Sequence, residues 1–335
     1  ACAGARVARR AVRAAASGRR PAALRRCVSG AGGGASDDGG VGRRQRVGAF
    51  SFGKGYLGAL GHGNLGDAPD VTLIRELAEV GADVTSVGAG WGHSAATTSD
   101  GAAVIWGRPY DFKQTLRTHH IHDFAPWLAR ALGRISGRVV LLSTLPTRID
   151  GADEEHFERV ACGAGALTVG VTRSGRVFSV GVNFHGQCGT GATSACEFDW
   201  APVASLDGAG IVDARCGFAH TLALAADGQL YAWGRGHRGQ LGLGDTHAYK
   251  EALPVGGRGS VLEGRRVTAF DAGFSHSACV TDDGGAWVWG KMQGEQLVDA
   301  DVRGARPTRI VADQLLPRRL ALPAPAVAVA CGHAH

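Results

Sequence analysis

No stretch of the chain reaches 18 apolar residues; the nearest, Leu320 to Cys331, is short and carries Pro323 and Pro325. No membrane-spanning helix is therefore expected. Proline is scarce, at 11 of 335 residues, and no G-x-y period runs through the sequence, which excludes a collagen-like rod. The eight cysteines form no C-x-x-C pair, so a disulfide framework or zinc site is not expected. There is no G-x-x-x-x-G-K-(S/T) run to cradle a phosphate and no G-x-S-x-G elbow to present a nucleophile. His119, His120 and His122 are too closely spaced on one segment to converge on a metal, and no Cys or carboxylate stands at a partner spacing. The expectation is a protein that is not an enzyme and holds neither cofactor nor metal.

Acidic residues are missing from the start of the chain: none precedes Asp37, and residues 1–46 hold 11 Arg and no Lys. Arg6, Arg9, Arg10 and Arg13 fall on one face of a helix. An Arg-rich, acid-free, amphipathic start is the profile of an organelle transit peptide. Residues 1–46 are read as such a peptide with a Gly-rich linker. Its modest Ser content favours a mitochondrial (matrix) address over a plastid one. The remaining residues carry 25 basic and 28 acidic groups, so the body has no net charge footprint for nucleic acid.

What the body has in excess is glycine, 53 residues in the chain, which points to many tight turns and short strands. Four segments share one pattern: VGAGWGHSAATTSDGAAVIWG (87–107), VACGAGALTVGVTRSGRVFSVG (160–181), ARCGFAHTLALAADGQLYAWG (214–234) and FDAGFSHSACVTDDGGAWVWG (270–290). Each reads as strand, turn, strand, with Asp100-Gly101, Ser174-Gly175, Asp227-Gly228 or Asp283-Gly284 as an expected two-residue primed turn. The second strand ends in an aromatic-Gly or Val-Gly step, and these steps, counted from Phe52-Gly53, lie 54, 74, 53 and 56 residues apart. A second signature follows them: GYLGALGHGN at 55–64, FHGQCGTG at 184–191, GHRGQLGLGD at 236–245 and the decayed KMQGEQL at 291–297. Its Leu or Cys is expected to fill the core beneath. A period near 50 with strand-turn-strand units means a β-propeller, in which each small sheet buries its faces against its neighbours.

The string G-x-x-H-(S/T), D-G, W-G, G-Q-L-G-x-G resembles the repeat of the regulator of chromosome condensation, over residues 47–335. The resemblance implies an all-β, seven-bladed propeller with about four antiparallel strands per blade. Here about five blades are expected, as an open arc. The chain stops at Cys331-Gly332-His333-Ala334-His335, the opening of a further repeat, and two to three blades are expected to be missing. The long gap places an insertion at about 108–148, with a short amphipathic helix over 123–135. The recurring His93, His220 and His276 are expected to be structural, their ring nitrogens bonding backbone. Cys162, Cys216 and Cys331 share one register and are expected as small core residues. Trp106, Trp233 and Trp289 are expected in blade packing. Trp91 stands in a G-W-x-H context, but Phe218 and Phe274 replace Trp in later copies, which argues against a tryptophan-cluster photoreceptor.

The resemblance to mitochondrial members implies an interaction platform supporting mitochondrial ribosome assembly or RNA metabolism, with ribosomal or assembly proteins as partners. The insertion supplies the candidate contacts Arg108, Tyr110, Phe112, Lys113, Arg117, Trp127 and Arg130, an aromatic and basic set of the kind that anchors interfaces. The alternative implied by the family is a guanine-nucleotide exchange factor, whose propeller face would open a GTPase nucleotide site. Direct binding of RNA or chromatin is a third reading.

Overall fold

The computed structural model describes residues 47–79, 82–107, 143–149, 151–256, 261–292 and 313–333. Strands β1 (Phe50–Gly53) and β2 (Ala68–Leu73) form a two-stranded antiparallel sheet. The short helix α1 (Arg75–Glu79) follows and buries Leu77 with Ile74. Four four-stranded sheets then succeed one another along the sequence. The first contains β3 (Val84–Ala89), β4 (His93–Thr98), β5 (Ala103–Gly107) and β6 (Ser143–Arg148). The second contains β7 (Phe157–Cys162), β8 (Leu167–Thr172), β9 (Val177–Val182) and β10 (Cys196–Pro202). The third contains β11 (Ile211–Cys216), β12 (His220–Ala225), β13 (Leu230–Gly234) and β14 (Tyr249–Pro254). The fourth contains β15 (Val267–Ala272), β16 (His276–Thr281), β17 (Ala286–Gly290) and β18 (Gln314–Arg319). Every pairing is antiparallel between sequence neighbours, so the body is an all-β propeller arc, as the repeats imply.

The last six residues of the span expected as an insertion, Ser143–Arg148, are the fourth strand of the first sheet and pair with β5. Residues 1–46 and 108–142, with the expected helix at 123–135, lie outside the described residues. Among the described residues no helix is long and apolar enough to cross a membrane.

The hairpin turns differ from the expected two-residue form. Gly101 N–H donates to Thr98 O at 2.8 Å, and Thr98 N–H donates to Ala102 O at 3.0 Å. The loop is therefore three residues long, with only its glycine at positive φ (+88°), and Asp100 keeps an ordinary backbone. Positions 172–176, 225–229 and 281–285 repeat both bonds. A type I turn closed by a glycine bulge satisfies the same Asp-Gly signal as a primed turn, because the Asp carboxylate braces the loop from inside. Asp100 Oδ1 does so by accepting from Ala102 N, and Asp283 Oδ1 by accepting from Gly285 N.

The apolar core lies between the sheets. Leu167, Val169 and Val177 of the second sheet pack with Ala214, Ala223 and Trp233 of the third. Leu222, Leu230 and Leu241 pack with Phe270, Trp287 and Trp289 of the fourth. Leu60, Cys188 and Leu241, at corresponding places in the second signature, are buried as expected.

A polar bond of one kind crosses three of the four successive interfaces. Trp233 Nε1–H donates to Gln187 O of the preceding sheet's turn at 2.9 Å, and Thr221 Oγ1 donates to the same oxygen at 3.1 Å. Trp289 and Ser277 do the same to Gln240 O, at 2.9 and 2.8 Å. Trp106 and Ser94 do it to Ala59 O, both at 2.9 Å. Trp233 and Trp289 are fully buried, so the indole N–H needs this partner as much as the carbonyl does. Trp233→Phe or Thr221→Val alone leaves Gln187 O with one donor, and each should cost about 1–2 kcal/mol. The double variant strands a buried carbonyl. Urea unfolding should show it losing about 1 kcal/mol or more beyond the sum of the single losses; simple additivity would refute the shared-acceptor account.

Candidate interaction face around the central groove

The first strand of each sheet (β3, β7, β11, β15) and residues 331–333 line one groove of about 840 Å³. Strand β7 runs into Gly163-Ala164-Gly165-Ala166, and strands β3, β11 and β15 run into the G-x-x-H tetrapeptide. Its glycine is fixed by close approach: a Cβ on Gly217 would lie 2.2 Å from Cε1 of its own His220 and 2.5 Å from Gly273 O of the next sheet. A Cβ on Gly163 would lie 2.5 Å from Gly217 O. The loops touch, and backbone bonds join them: Ala164 N–H to Gly217 O at 3.2 Å, Phe218 N–H to Phe274 O and Phe274 N–H to Gly332 O, both at 3.3 Å.

The residue after that glycine is Trp91, Ala164, Phe218, Phe274 or His333. Because the loops are stitched together, these side chains come to one rim of the groove. Phe218 and Phe274 stack with centroids 4.4 Å apart and planes 24° apart. His333 extends the stack, 4.3 Å from Phe274. Trp91 is 73% exposed, too open for a packing residue. Ala164 breaks the row. The groove wall is mixed: Asp213 pairs with Arg215 at 2.7 Å, and Asp271 Oδ2 accepts from Cys331 N at 2.7 Å.

The histidine of the tetrapeptide faces the other way, into the protein. His93 Nε2 reaches Leu167 O of the next sheet at 3.3 Å, the backbone bond expected of it. His220 Nε2 meets Ser277 Oγ at 3.0 Å; that hydroxyl already donates to Gln240 O, so His220 donates to it. Burial, and after it the neighbouring His276, lowers the His220 pKa to about 3. It is a neutral strut between sheets. The second sheet has Leu167 in this place, paired with Gly181 as His220 is with Gly234, and Ala166, at a backbone φ of +60°, is part of a loop one residue longer.

The cysteines extend one expectation. Cys162, Cys216 and Cys331 are half-buried and line the groove, while Cys162 and Cys216 also pack against the core clusters as expected. Burial pushes the Cys162 and Cys331 thiols up to about 12 and that of Cys216 up as well, so they stay protonated and are not nucleophiles.

The sequence-predicted contacts Arg108, Tyr110, Phe112, Lys113, Arg117, Trp127 and Arg130 all lie outside the described residues. The aromatic row was readable and was missed. Trp91, Phe218 and Phe274 were weighed only as a photoreceptor cluster, although a large apolar residue recurs at one place of an otherwise small-residue motif.

Because His220 folds neutral and unfolds to an ordinary imidazole, the unfolded chain binds the proton more readily. Stability from this site is complete above the unfolded-state pKa of about 6.5 and is lost as pH falls towards 3. His220→Gln should remove that part of the slope. Unfolding free energies measured from pH 7.5 to 4 would test this, and an unchanged slope in the variant would exclude His220 as the group responsible.

The comparisons with known proteins agree with this geometry. The regulator of chromosome condensation (RCC1) repeat matches residues 48–97, 174–224 and 227–280, and a second model of that repeat matches 211–240. Each longer match joins two strands of one sheet to the first two of the next, so the sequence repeat straddles the interface. The E3 ubiquitin-protein ligase HERC2 of Homo sapiens is 30% identical over 85% of this chain, which spans 5% of that protein. The mitochondrial RCC1 domain-containing protein RUG3 of Arabidopsis thaliana is 28% identical over 74% of this chain, which spans 51% of it. The crystal structure of human WBSCR16 superposes with a TM-score of 0.62 at 21% identity, covering 86% of this chain and 66% of that one.

Proposed function

Since the chain belongs to the regulator-of-chromosome-condensation repeat family, we propose that it is a non-enzymatic interaction platform working in mitochondria, with protein partners in ribosome assembly or organelle RNA metabolism. The observation that carries the platform is the rim itself. Four aromatic or imidazole side chains, Trp91, Phe218, Phe274 and His333, stand around a groove of about 840 Å³, the last three on loops joined by backbone bonds. Rigid loops that hold partly exposed aromatic groups lose little entropy on binding, which is what an anchor residue requires. The Arg-rich first 46 residues, acid-free up to Asp37, and the likeness to RUG3, whose name places it in mitochondria, support the address. Arg108, Tyr110, Phe112, Lys113, Arg117, Trp127 and Arg130 form a second proposed contact set from the 108–142 segment.

Proximity labelling by the epitope-tagged chain in its own cells tests the reading. Recovery of mitochondrial ribosomal and assembly proteins is expected, and Trp91→Ala with Phe274→Ala should reduce it at least about tenfold, the loss of two anchors. Recovery of one GTPase, with faster nucleotide release on mixing, would replace the platform with an exchange factor. Salt-sensitive retention on RNA or chromatin would support direct nucleic-acid binding instead. Labelling outside mitochondria would remove the address.

A further inference from the structure

Beside Phe274 lies a second recess, of about 190 Å³, lined by Arg235, His237, Arg238, Phe274, Lys291 and His333 among others. Arg235 and Lys291 directly follow the steps Trp233-Gly234 and Trp289-Gly290. Their backbones are fixed, Arg235 N–H to Ala219 O and Lys291 N–H to Ser275 O, both at 2.8 Å. Both residues are half-buried, and among the described residues neither side chain has an ion-pair or hydrogen-bond partner. Lys54, in the same register of an earlier copy, is exposed and paired with Asp67 at 2.8 Å. Arg238 is held by Asp313 at 3.1 Å. Among the described residues three cations therefore face one acid. The surplus is felt nearby: burial first, then Arg235, Arg238 and His185, lowers the His237 pKa, and burial then Arg235 lowers that of His185. Two half-buried cations without a counter-charge among the described residues are costly unless an anion completes them.

We propose that this recess receives a phosphoryl dianion carried on a protein segment that lies along the aromatic row. The inference rests on the platform reading and adds the chemistry of the partner. A surplus of two positive charges matches a dianion, and the three acceptor oxygens of a phosphoryl group can engage an arginine fork and a lysine together, where a carboxylate brings one charge and two oxygens. The recess holds one such group. The adjoining groove carries Asp213 and Asp271, which a continuous phosphodiester chain would have to pass. An apolar peptide with one phosphorylated side chain meets the stacked Phe218, Phe274 and His333 instead.

Fluorescence anisotropy with the full chain tests this. The probe is a labelled Ala-Phe-phosphoserine-Phe-Ala peptide, with its serine and glutamate counterparts, and inorganic phosphate as competitor. The phosphopeptide should bind at least about tenfold more tightly than the glutamate peptide. Arg235→Gln or Lys291→Gln should weaken it by about the same factor. Asp313→Asn, which releases Arg238, should tighten binding, a gain that no folding defect can imitate. Lys54→Gln should change nothing. Equal binding of all three peptides, or wild-type affinity in both the Arg235 and Lys291 variants, overturns the proposal. Phosphate binding that depends on Arg235 without any phosphopeptide binding overturns the protein source and makes free phosphate the ligand. If no peptide binds while partner recovery still depends on Trp91 and Phe274, this pocket fails and the platform stands. If that dependence is also absent, the platform fails with it.

Discussion

One backbone carbonyl per turn holds the sheets in succession. Ala59 O, Gln187 O and Gln240 O each accept from the indole and from the hydroxyl of the next sheet, so two buried side chains are satisfied at one atom. Apolar packing between sheets is stronger in sum but does not fix a direction. The double acceptor does: it sets how far each sheet advances over the last and so where the first strands meet around the groove. The second sheet has Val180 in the tryptophan place and Leu167 in the histidine place, while Thr168 keeps the place of Thr221.

The groove end of each sheet divides its work among adjacent residues. In Gly217-Phe218-Ala219-His220 the glycine permits the neighbouring loop to approach, the histidine braces the next sheet, and the phenylalanine is left on the rim. The fold constrains the first and last positions and leaves the second free. That position accordingly ranges over Trp91, Phe218 and Phe274 while the loop path is kept, and Ala164 stands in the longer loop of the second sheet.

The strand pattern, the repeat boundaries and the buried tryptophans were legible because each rests on local chemistry: glycine at a turn, alternation on a strand, an aromatic before a close approach. The hairpin type was not, since Asp-Gly serves both a primed turn and a type I turn with a bulge, and only the number of loop residues decides between them. That Cys162, Cys216 and Cys331 also line the groove was not legible for a similar reason. A small residue fits a core and a crowded channel equally well, and the side on which an inner strand is solvated depends on curvature that no single repeat encodes.

The charged recess was invisible for a different reason. Its cations come from two successive repeats, and each looks like an ordinary surface residue in its own segment. Lys54, Arg235 and Lys291 share one register, yet the first is exposed and neutralised by Asp67 while the other two are half-buried with no acid beside them among the described residues. The difference lies in what the next sheet brings up. At Arg235 and Lys291 the adjoining loops offer Phe274 and imidazoles where a carboxylate would be needed. A repeat protein multiplies one scaffold position into several, and neighbouring blades then give each copy its own electrostatic setting. Specificity can therefore arise between repeats even when each repeat, taken alone, specifies only the fold.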